Sequence, residues 1–272
     1  MPNPPDGLRE YTPRSESGAP PVTLGMGGAT QHARRAPAAE VAGHPDRAGA
    51  FADAPAPWWV LLAGLPAPER DALVGSARRR TYRRGQTLMI EGDRPDGFHL
   101  VEVGHVAVQR TRPDGVTGTL AVLGPGALVG ELGIISPAPR NATVVALDRV
   151  ETLKLLASDL DELRRSHPSI DRFLVGVLTA EVRRLSGLLI EAHYADAETR
   201  VRHRLADLIR LFGAADGVDG PVEIPLTQEE LAQLAGTTRA TTNRVLRAAA
   251  ARGELRLGRS ALTVVAEGVG TT

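Results

Sequence analysis

The 272-residue chain contains no cysteine. This absence excludes disulfide bonds, thiolate-ligated zinc, cysteine-ligated iron–sulfur clusters and thiol nucleophiles. Lysine is almost absent as well, because Lys154 is the one lysine among 32 basic side chains and the others are arginine. A GC-rich genome is the simplest cause of that bias, but the arginine fork also suits bidentate binding of phosphate or guanine.

Long apolar runs are also missing. The most apolar segment, residues 58–65, is far shorter than the roughly 20 residues that a membrane-spanning helix needs. The N-terminus has no basic region followed by an apolar run, so no secretory signal is predicted. Together with the missing cysteines, these absences predict a cytoplasmic protein that has no membrane partner.

The formal net charge is zero, because 32 basic residues balance 32 acidic ones. A uniformly basic nucleic-acid binder is therefore excluded, whereas a local basic patch is not. Hydrophobic residues make up 42% of the chain and charged residues 24%, which is ordinary for a globular protein. This composition excludes a collagenous or wholly disordered protein.

The residue pattern divides the chain into four segments. Residues 1–57 hold ten of the 20 prolines and few large apolar side chains, which predicts a disordered tail. Residues 58–168 contain short β runs separated by glycine, which indicates an antiparallel β-roll of the jelly-roll type. Residues 169–195 predict one long helix, and residues 196–272 predict a compact C-terminal domain. The fold class is therefore α+β.

Two local expectations complete this division. Ser158 and Asp161 have the spacing of a capping box, which predicts the start of a short helix that ends before Pro168. Residues 213–220 are rich in glycine and aspartate, and predict a loop before the C-terminal unit.

The long helix carries an apolar stripe with spacings of four and three residues, which is typical of helices that pack on another helix. This pattern predicts that the helix mediates self-association, although packing on its own roll remains an alternative. The predicted dimerisation residues are Leu174, Leu178, Val182, Leu185 and Leu189.

The C-terminal unit has the signature of two short helices joined by a tight turn. Thr227 and Glu230 form a Thr-x-x-Glu capping box at the start of the first helix. Gly236 supplies the left-handed turn that ends it, and Thr238 caps the next helix. Two β runs on either side of residues 258–260 predict a wing. These features together indicate a winged helix-turn-helix.

A basic edge distinguishes this unit from the rest of the chain. Residues 239–259 contain six arginines and one acid, a net charge of +5, so the remainder of the chain carries −5. The second helix thus has the character of a recognition helix, in which the leading residues reach base edges and hydroxyls and arginines contact phosphates. The predicted DNA-binding residues are Thr227, Gln228, Thr238, Arg239, Ala240, Thr241 and Arg244.

The order of roll, long helix and winged helix-turn-helix resembles the CRP/FNR family of bacterial transcription regulators. The resemblance covers about residues 58–266, and its motifs are residues 85–88 (GQTL), 130–133 (GELG), 139–142 (PRNA) and 227–246. It implies a homodimer that is joined along the long helices and binds a two-fold symmetric site in double-stranded DNA. It also implies RNA polymerase as a partner and a small-molecule effector.

In members of this family that bind cyclic nucleotides, the GELG-like motif contacts the ribose and the arginine contacts the cyclic phosphate. The resemblance therefore implies ligand contacts by Gly130, Glu131, Leu132, Arg140 and Asn141. A carboxylate accepts well from a hydroxyl, and a guanidinium fork suits a buried anion. The candidate effector is cAMP or cGMP, and no other cofactor is predicted.

Three alternatives stay open at the ligand site, because the sequence departs from the family pattern. Asn141 replaces the serine or threonine that follows the arginine, and the helix positions that carry hydroxyls in cAMP binders read Leu188-Leu189 or Leu185-Ser186. Another cyclic nucleotide, a different ligand or no ligand are all compatible with this pattern. Without a ligand, the glycines would form a plain turn in which Arg140 pairs with Glu131.

The sequence thus predicts a DNA-binding regulator that is controlled by a ligand in the roll. Its rivals are a ligand-independent regulator with a purely structural roll, and a small-molecule-binding module without DNA function. No paired-carboxylate motif, G-x-S-x-G, P-loop or H-E-x-x-H is present, so neither an enzyme nor a metal site is predicted. Ala240 stands where the family commonly has glutamate, which predicts an altered DNA half-site, because a methyl group cannot accept from cytosine.

Overall fold

The computed structural model describes residues 58–135, 138–216, 221–258 and 260–265. The predicted tail, residues 1–57, lies outside this range, as does Arg259 in the wing. The first described elements are two short helices, α1 (Trp58–Ala63) and α2 (Ala67–Ser76). None of the helices in the described ranges is long and apolar enough to span a membrane.

Eight strands follow and form the predicted roll. They are β1 (Arg78–Tyr82), β2 (Thr87–Met89), β3 (Gly97–Val103), β4 (Val106–Thr111), β5 (Thr117–Leu123), β6 (Leu128–Val129), β7 (Thr143–Ala146) and β8 (Val150–Leu156). Two four-stranded sheets have the orders β1-β8-β3-β6 and β2-β7-β4-β5, and their pairs are antiparallel. The antiparallel β-roll is therefore confirmed. Because β3 lies inside its sheet with packing on both faces, all but its last residue is buried.

Helices connect the roll to the C-terminal unit. They are α3 (Leu132–Ile135), between β6 and β7, then α4 (Ala157–Ser166), α5 (Ser169–Tyr194) and α6 (Ala197–Asp216). The long helix has the predicted bounds within one residue. The predicted loop over residues 213–220 is wrong in its first half, because α6 continues to Asp216; residues 217–220 lie outside the described part.

The predicted cap of α4 is also wrong. The helix begins at Ala157 with Leu156 as its N-cap, and no side chain caps it. Ser158 is already inside the helix, and its Oγ donates to Asp159 Oδ1 at 3.2 Å. The sequence has the spacing of a capping box, but β8 runs directly into the helix, so the helix begins before Ser158. The backbone N–H of Ala157 donates to the Asp96 carbonyl across the roll.

The first half of α5 packs on the roll. Ile170, Phe173, Leu174 and Val177 are buried in one cluster with side chains of β3 and β8. Leu174 is only 3% exposed, so it belongs to the core of its own subunit and not to an exposed stripe. Beyond Val177 the helix adds no further residue to this cluster, and Val182, Leu185 and Leu189 are exposed.

The C-terminal unit consists of β9 (Val222–Ile224), α7 (Gln228–Leu234), α8 (Arg239–Ala251), β10 (Leu255–Leu257) and β11 (Leu262–Val264). Its three strands form an antiparallel sheet of order β10-β11-β9, which is the predicted wing. The capping box of Thr227 and Glu230, the positive φ of Gly236 and the cap by Thr238 are confirmed. The winged helix-turn-helix follows from these local signals.

The C-terminal unit shares a core with the roll. Ala107 and Leu147 of the roll are buried in the same cluster as Phe212 of α6. The His105 ring stacks on Phe212 at 4.0 Å between ring centroids. On α7, Gln233 Oε1 accepts a hydrogen bond of 2.9 Å from the backbone N–H of Thr119. The helix-turn-helix is thus held against β4 and β5 of its own subunit.

Candidate ligand cleft and DNA interface

The GELG turn after β6 is built around the Arg140 side chain. Gly130 has a φ of +89°, a left-handed conformation that favours glycine. A Cβ at this position would lie 2.6 Å from Arg140 Nη1, which is closer than atoms can pack. Glycine is therefore required at this turn both for its backbone conformation and because the guanidinium lies against it.

Arg140 is bonded within the roll. Its side chain is only 4% exposed. Nη1 donates to the Gly130 carbonyl at 2.6 Å, and Nη2 donates to the Gly97 carbonyl at 2.5 Å and to Asp96 Oδ1 at 3.3 Å. Asp96 also pairs with Lys154. The internal pairing of Arg140 with Glu131 is not formed; the partners are two carbonyls and Asp96, which the sequence analysis did not identify.

Glu131 is buried where the roll faces α5. The pKa of this carboxyl is raised to about 6, chiefly by burial and also by the nearby Glu181 carboxylate, while a backbone hydrogen bond, Arg140 and Arg184 act to lower it. Glu181 forms a bidentate pair with Arg184 of the same helix, with Nε–Oε2 and Nη2–Oε1 distances of 2.8 and 2.7 Å. Two carboxylates and two guanidinium groups therefore meet at this edge of the roll.

A cleft lies beside these groups, between the roll and α5. Apolar side chains cover most of it, and Glu131 and Glu181 are its charged groups; the lining includes Trp58, Leu61, Leu123, Ala127, Leu128 and Val177. Of the predicted ligand residues, Glu131 lines this cleft and Arg140 is buried at the adjoining turn, whereas Leu132 and Asn141 are exposed. The structure thus brings together Gly130, Glu131 and Arg140.

The residues at this cleft and at the adjoining turn fit only in part a ligand that carries both an anionic group and a hydroxyl group. Glu131 offers a buried acceptor for a hydroxyl, and Arg140 offers a guanidinium that already makes three hydrogen bonds to the protein. On α5, Leu185 is exposed, and Ser186 Oγ donates back to the Val182 carbonyl at 2.8 Å. A ligand could use that hydroxyl as a donor only if this bond broke, whereas the oxygen remains free to accept.

The outer face of α8 presents most of the predicted DNA contacts. Thr238, Arg239, Ala240 and Arg244 are exposed and Thr241 is half-buried. The opposite face is buried in the core of the unit, through Thr242, Val245, Leu246 and Ala249. An exposed basic face on a helix that begins with hydroxyl side chains is the arrangement that enters a DNA major groove.

The two predicted DNA contacts at the start of α7 are bonded inside the unit. The Thr227 hydroxyl accepts from the Glu230 N–H at 3.2 Å, as part of the capping box. Gln228 Oε1 accepts from Asn243 Nδ2 at 2.5 Å, which links α7 to α8. These side chains hold the two helices together.

A contact that the sequence analysis missed involves Arg244. Its Nη2 lies 2.5 Å from Glu198 Oε1, in the first turn of α6. Glu198 also lies 3.5 Å from Arg202 on its own helix. The Glu198–Arg202 spacing is visible in the sequence as an i,i+4 pair, but only the packing of α6 on α8 reveals the partner on the recognition helix.

The second half of α5 exposes a row of apolar side chains. Leu178 is half-buried, whereas Val182, Leu185 and Leu189 are exposed by 61, 49 and 60%. Val175 is also exposed and takes the place in this row that Leu174 was predicted to have. Within the described residues, no group of three or more acidic or histidine side chains is placed to hold a metal ion.

Comparisons with known proteins point to the same two parts of the chain. Residues 79–167 match the model of the cyclic nucleotide-binding domain, and residues 199–267 match that of the Crp-like helix-turn-helix domain. The matched ranges cover the roll and the winged helix-turn-helix, and all of α5 lies between them.

Full-length relatives carry both domains. The CRP-like cAMP-activated global transcriptional regulator of Mycobacterium tuberculosis is 35% identical over 206 residues, which is 74% of this chain and 91% of the relative. The cyclic AMP receptor protein of Thermus thermophilus is 35% identical over 198 residues, 73% of this chain and 88% of the relative. The solved structure of the c-di-GMP responsive global regulator CLP of Xanthomonas campestris shares the fold, with a TM-score of 0.59 at 23% identity; the match covers 75% of this chain and 100% of that one. The first of these proteins is named as a transcriptional regulator and the third as a global regulator.

The raised pKa of Glu131 predicts a pH-dependent stability. Because the folded-state pKa of about 6 lies above the ordinary value of 4.5, the native protein binds more protons between these values, and its free energy of unfolding falls as pH rises through them. Replacing Glu131 with glutamine removes this loss. We expect Glu131→Gln to be more stable than the wild type by about 2 kcal/mol at pH 7.5, with the difference vanishing near pH 4.

Urea unfolding at pH 4, 5.5 and 7.5 measures this effect. Glu162→Gln, on the exposed side of α4, is the control and should show no such trend. An equal difference between wild type and Glu131→Gln at all three pH values would contradict the burial of an ionisable carboxyl at this turn.

Proposed function

The chain belongs to the CRP/FNR family of transcription regulators, and from this premise we propose that it is a cytoplasmic homodimer that binds specific DNA sites under the control of a small ligand. Membership of this family makes the chain a transcription regulator with a DNA-binding domain. The dimer, the ligand and RNA polymerase as a further partner are the proposed parts. So is the division into a roll (58–168), a dimerisation helix (169–195) and a DNA-binding domain (196–272).

The exposed arginine face of α8 carries the DNA proposal. Arg239 and Arg244 project from the side of the helix opposite its buried residues, at the end where Thr238 and Thr241 present hydroxyls. Arginine bonds guanine O6 and N7 bidentately, and hydroxyls near a helix N-terminus contact phosphates. Thr227 and Gln228, which brace the two helices, contribute to this surface from its edge.

The exposed apolar row of α5 supports the dimer. Leu178, Val182, Leu185 and Leu189 repeat at spacings of four, three and four residues, which is the pattern of a two-helix seam. An apolar row of this length is costly to leave in water, and an antiparallel or parallel copy of the same helix covers it symmetrically. Leu174 takes no part, because it is buried in its own subunit.

Glu131 and Arg140 support a ligand with a hydroxyl and an anionic group. The two relatives named above are a cAMP-activated regulator and a cyclic AMP receptor, which makes a cyclic nucleotide the class to test first. Glu131 would accept from the ribose hydroxyl, and Arg140, with Gly130, Leu132 and Asn141 around it, would face the phosphate. Because Glu131 lies against Glu181 of α5, a ligand that bonds it changes the packing of α5 on the roll.

One observation favours a second candidate, a regulator that needs no ligand. Arg140 already donates to two buried carbonyls and to Asp96, so the roll is internally bonded at the position of the phosphate. In that case the arginine is structural, and the DNA affinity is constant.

A nucleotide titration separates the two candidates. For the ligand-controlled regulator, cAMP or cGMP raises the melting temperature and changes the DNA affinity, since a ligand that binds the native state stabilises it. Arg140→Lys, which keeps the charge but loses the fork, should abolish both responses. A wild-type protein whose melting temperature and DNA affinity both ignore the two nucleotides supports the ligand-independent candidate.

Arg239→Ala tests the DNA surface. We expect a loss of about 1–3 kcal/mol at one base position of each half-site, with relaxed preference there and little change elsewhere. Selection from a randomised duplex pool, followed by binding assays with single-base variants, measures this. Arg165→Ala, on the roll side in α4, is the control. Uniform weakening on every sequence would instead make Arg239 a phosphate contact.

Leu189→Asp tests the dimer. A carboxylate within an apolar seam is desolvated without a partner, so we expect the variant to be monomeric and to lose most of its affinity for a two-fold symmetric site. Arg183→Asp, which is equally on α5 but outside the row, should remain dimeric. Sedimentation velocity measures the mass of both variants, and a dimeric Leu189→Asp protein would refute this interface.

A further inference from the structure

An acidic side chain lies within the basic surface proposed to meet DNA. Glu198, in the first turn of α6, pairs with Arg244 of α8 across an open polar cleft that Asp196, Arg202 and Thr241 also line. Every phosphate that approaches Arg244 therefore also approaches a carboxylate. Such a charge lowers the affinity for any duplex, so its presence here calls for a compensating role.

The pair does not withdraw Arg244 from the surface. Its side chain remains 69% exposed, and that of Glu198 is 38% exposed. Exposed ion pairs are weak, and a bidentate contact between arginine and guanine is stronger than most of them. The carboxylate is thus too weak a partner to block the arginine, but it is close enough to restrict which way the guanidinium points.

Orientation matters for what Arg244 recognises. An arginine without a fixed partner is flexible and can pair with the nearest phosphate. Such a phosphate contact carries no sequence information. A guanidinium whose Nη2 is held by a carboxylate has fewer orientations, and its remaining N–H groups bond a neutral acceptor pair, such as guanine O6 and N7, without a second anion beside Glu198. One turn before Arg244 on α8 the residue is Ala240, which offers no carboxylate that could hold the guanidinium in place of Glu198.

We propose that Glu198 is a specificity-determining residue of the DNA-binding surface, which positions Arg244 to read guanine and disfavours its use as a phosphate contact. This inference rests on the proposed DNA-binding function. Its two consequences are opposite in sign: the carboxylate weakens binding to any duplex, and it improves the discrimination between a preferred site and the rest.

The test compares two duplexes, one enriched by the wild-type protein from a randomised pool and one scrambled duplex of the same composition. For Glu198→Ala we expect the affinity for the scrambled duplex to rise about fivefold, and that for the enriched duplex to change by less than about twofold. The specificity ratio therefore falls. Glu198→Gln, which loses the charge but keeps an acceptor oxygen, should give an intermediate ratio.

Two controls isolate the pair. Glu223→Gln removes an exposed carboxylate from β9 of the same domain, and should leave the specificity ratio unchanged. In an Arg244→Ala background, Glu198→Ala should no longer change the ratio, because the side chain that it positions is absent. Urea unfolding confirms that each variant retains its fold.

The outcomes distinguish the inference from its premise. If Glu198→Ala raises both affinities equally, the carboxylate acts by repulsion alone and the inference is wrong. If Glu198→Ala instead raises the affinity for the enriched duplex more than that for the scrambled one, Glu198 keeps Arg244 away from the bases. That result would also overturn the inference. If the wild-type protein enriches no sequence at all, the proposed DNA-binding function itself fails.

Discussion

The packing of the first half of α5 on the roll fixes where the other functional surfaces lie. Ile170, Phe173, Leu174 and Val177 are buried against β3 and β8, and this sets the rotation of the helix about its axis. With that rotation, Glu181 faces Glu131 at the ligand cleft, while Val182 on the other side faces outward. One helix thus borders the cleft with one face and offers its apolar row with another. In the proposed dimer, this shared helix is the element through which a change at the cleft would reach the seam.

The C-terminal end of α5 is tied just as firmly to the DNA-binding domain. Glu191 is buried there, accepts from His203 Nδ1 at 2.7 Å and pairs with Arg204, both on α6. Arg200 donates to the carbonyls of Ala195, Ala235 and Gly236, and so links the α5–α6 junction to the turn between α7 and α8. Because breaking a buried ion pair is costly, these contacts hold α5 and α6 together and join them to the turn before the recognition helix.

Local signals in the sequence were sufficient for most of the fold. The capping box of Thr227, the turn at Gly236 and the bounds of α5 depend on neighbours within a few residues, and all are found as predicted. Leu174 was wrongly assigned to the dimerisation stripe. A spacing of four and three residues shows which side chains share a face of a helix, but not whether the roll or a second helix covers each of them.

The candidate sites depend on contacts between distant segments, which spacing does not encode. The partners of Arg140 include Asp96 and the Gly97 carbonyl, which approach it only because β3 pairs with β6 and β8. Glu198 meets Arg244 only because α6 packs on α8. The motifs identify these arginines in the sequence, but contacts in the folded chain determine which of them are bonded internally and which face solvent.

That distribution explains how a chain with no net charge presents a basic surface. Arg140, Arg184 and Arg204 each pair with a carboxylate in the roll or along the helices, so their charges cancel within a few ångströms. Arg239 and Arg247 of α8 are exposed and make no ion pair with another described residue. Because water and salt screen charges beyond about 8–10 Å, a phosphate responds to the nearest side chains and not to the sum over the chain. Local pairing therefore cancels the charges of the buried arginines, whereas Arg239 and Arg247 keep their charge at the surface of α8, and Glu198 partly offsets that of Arg244.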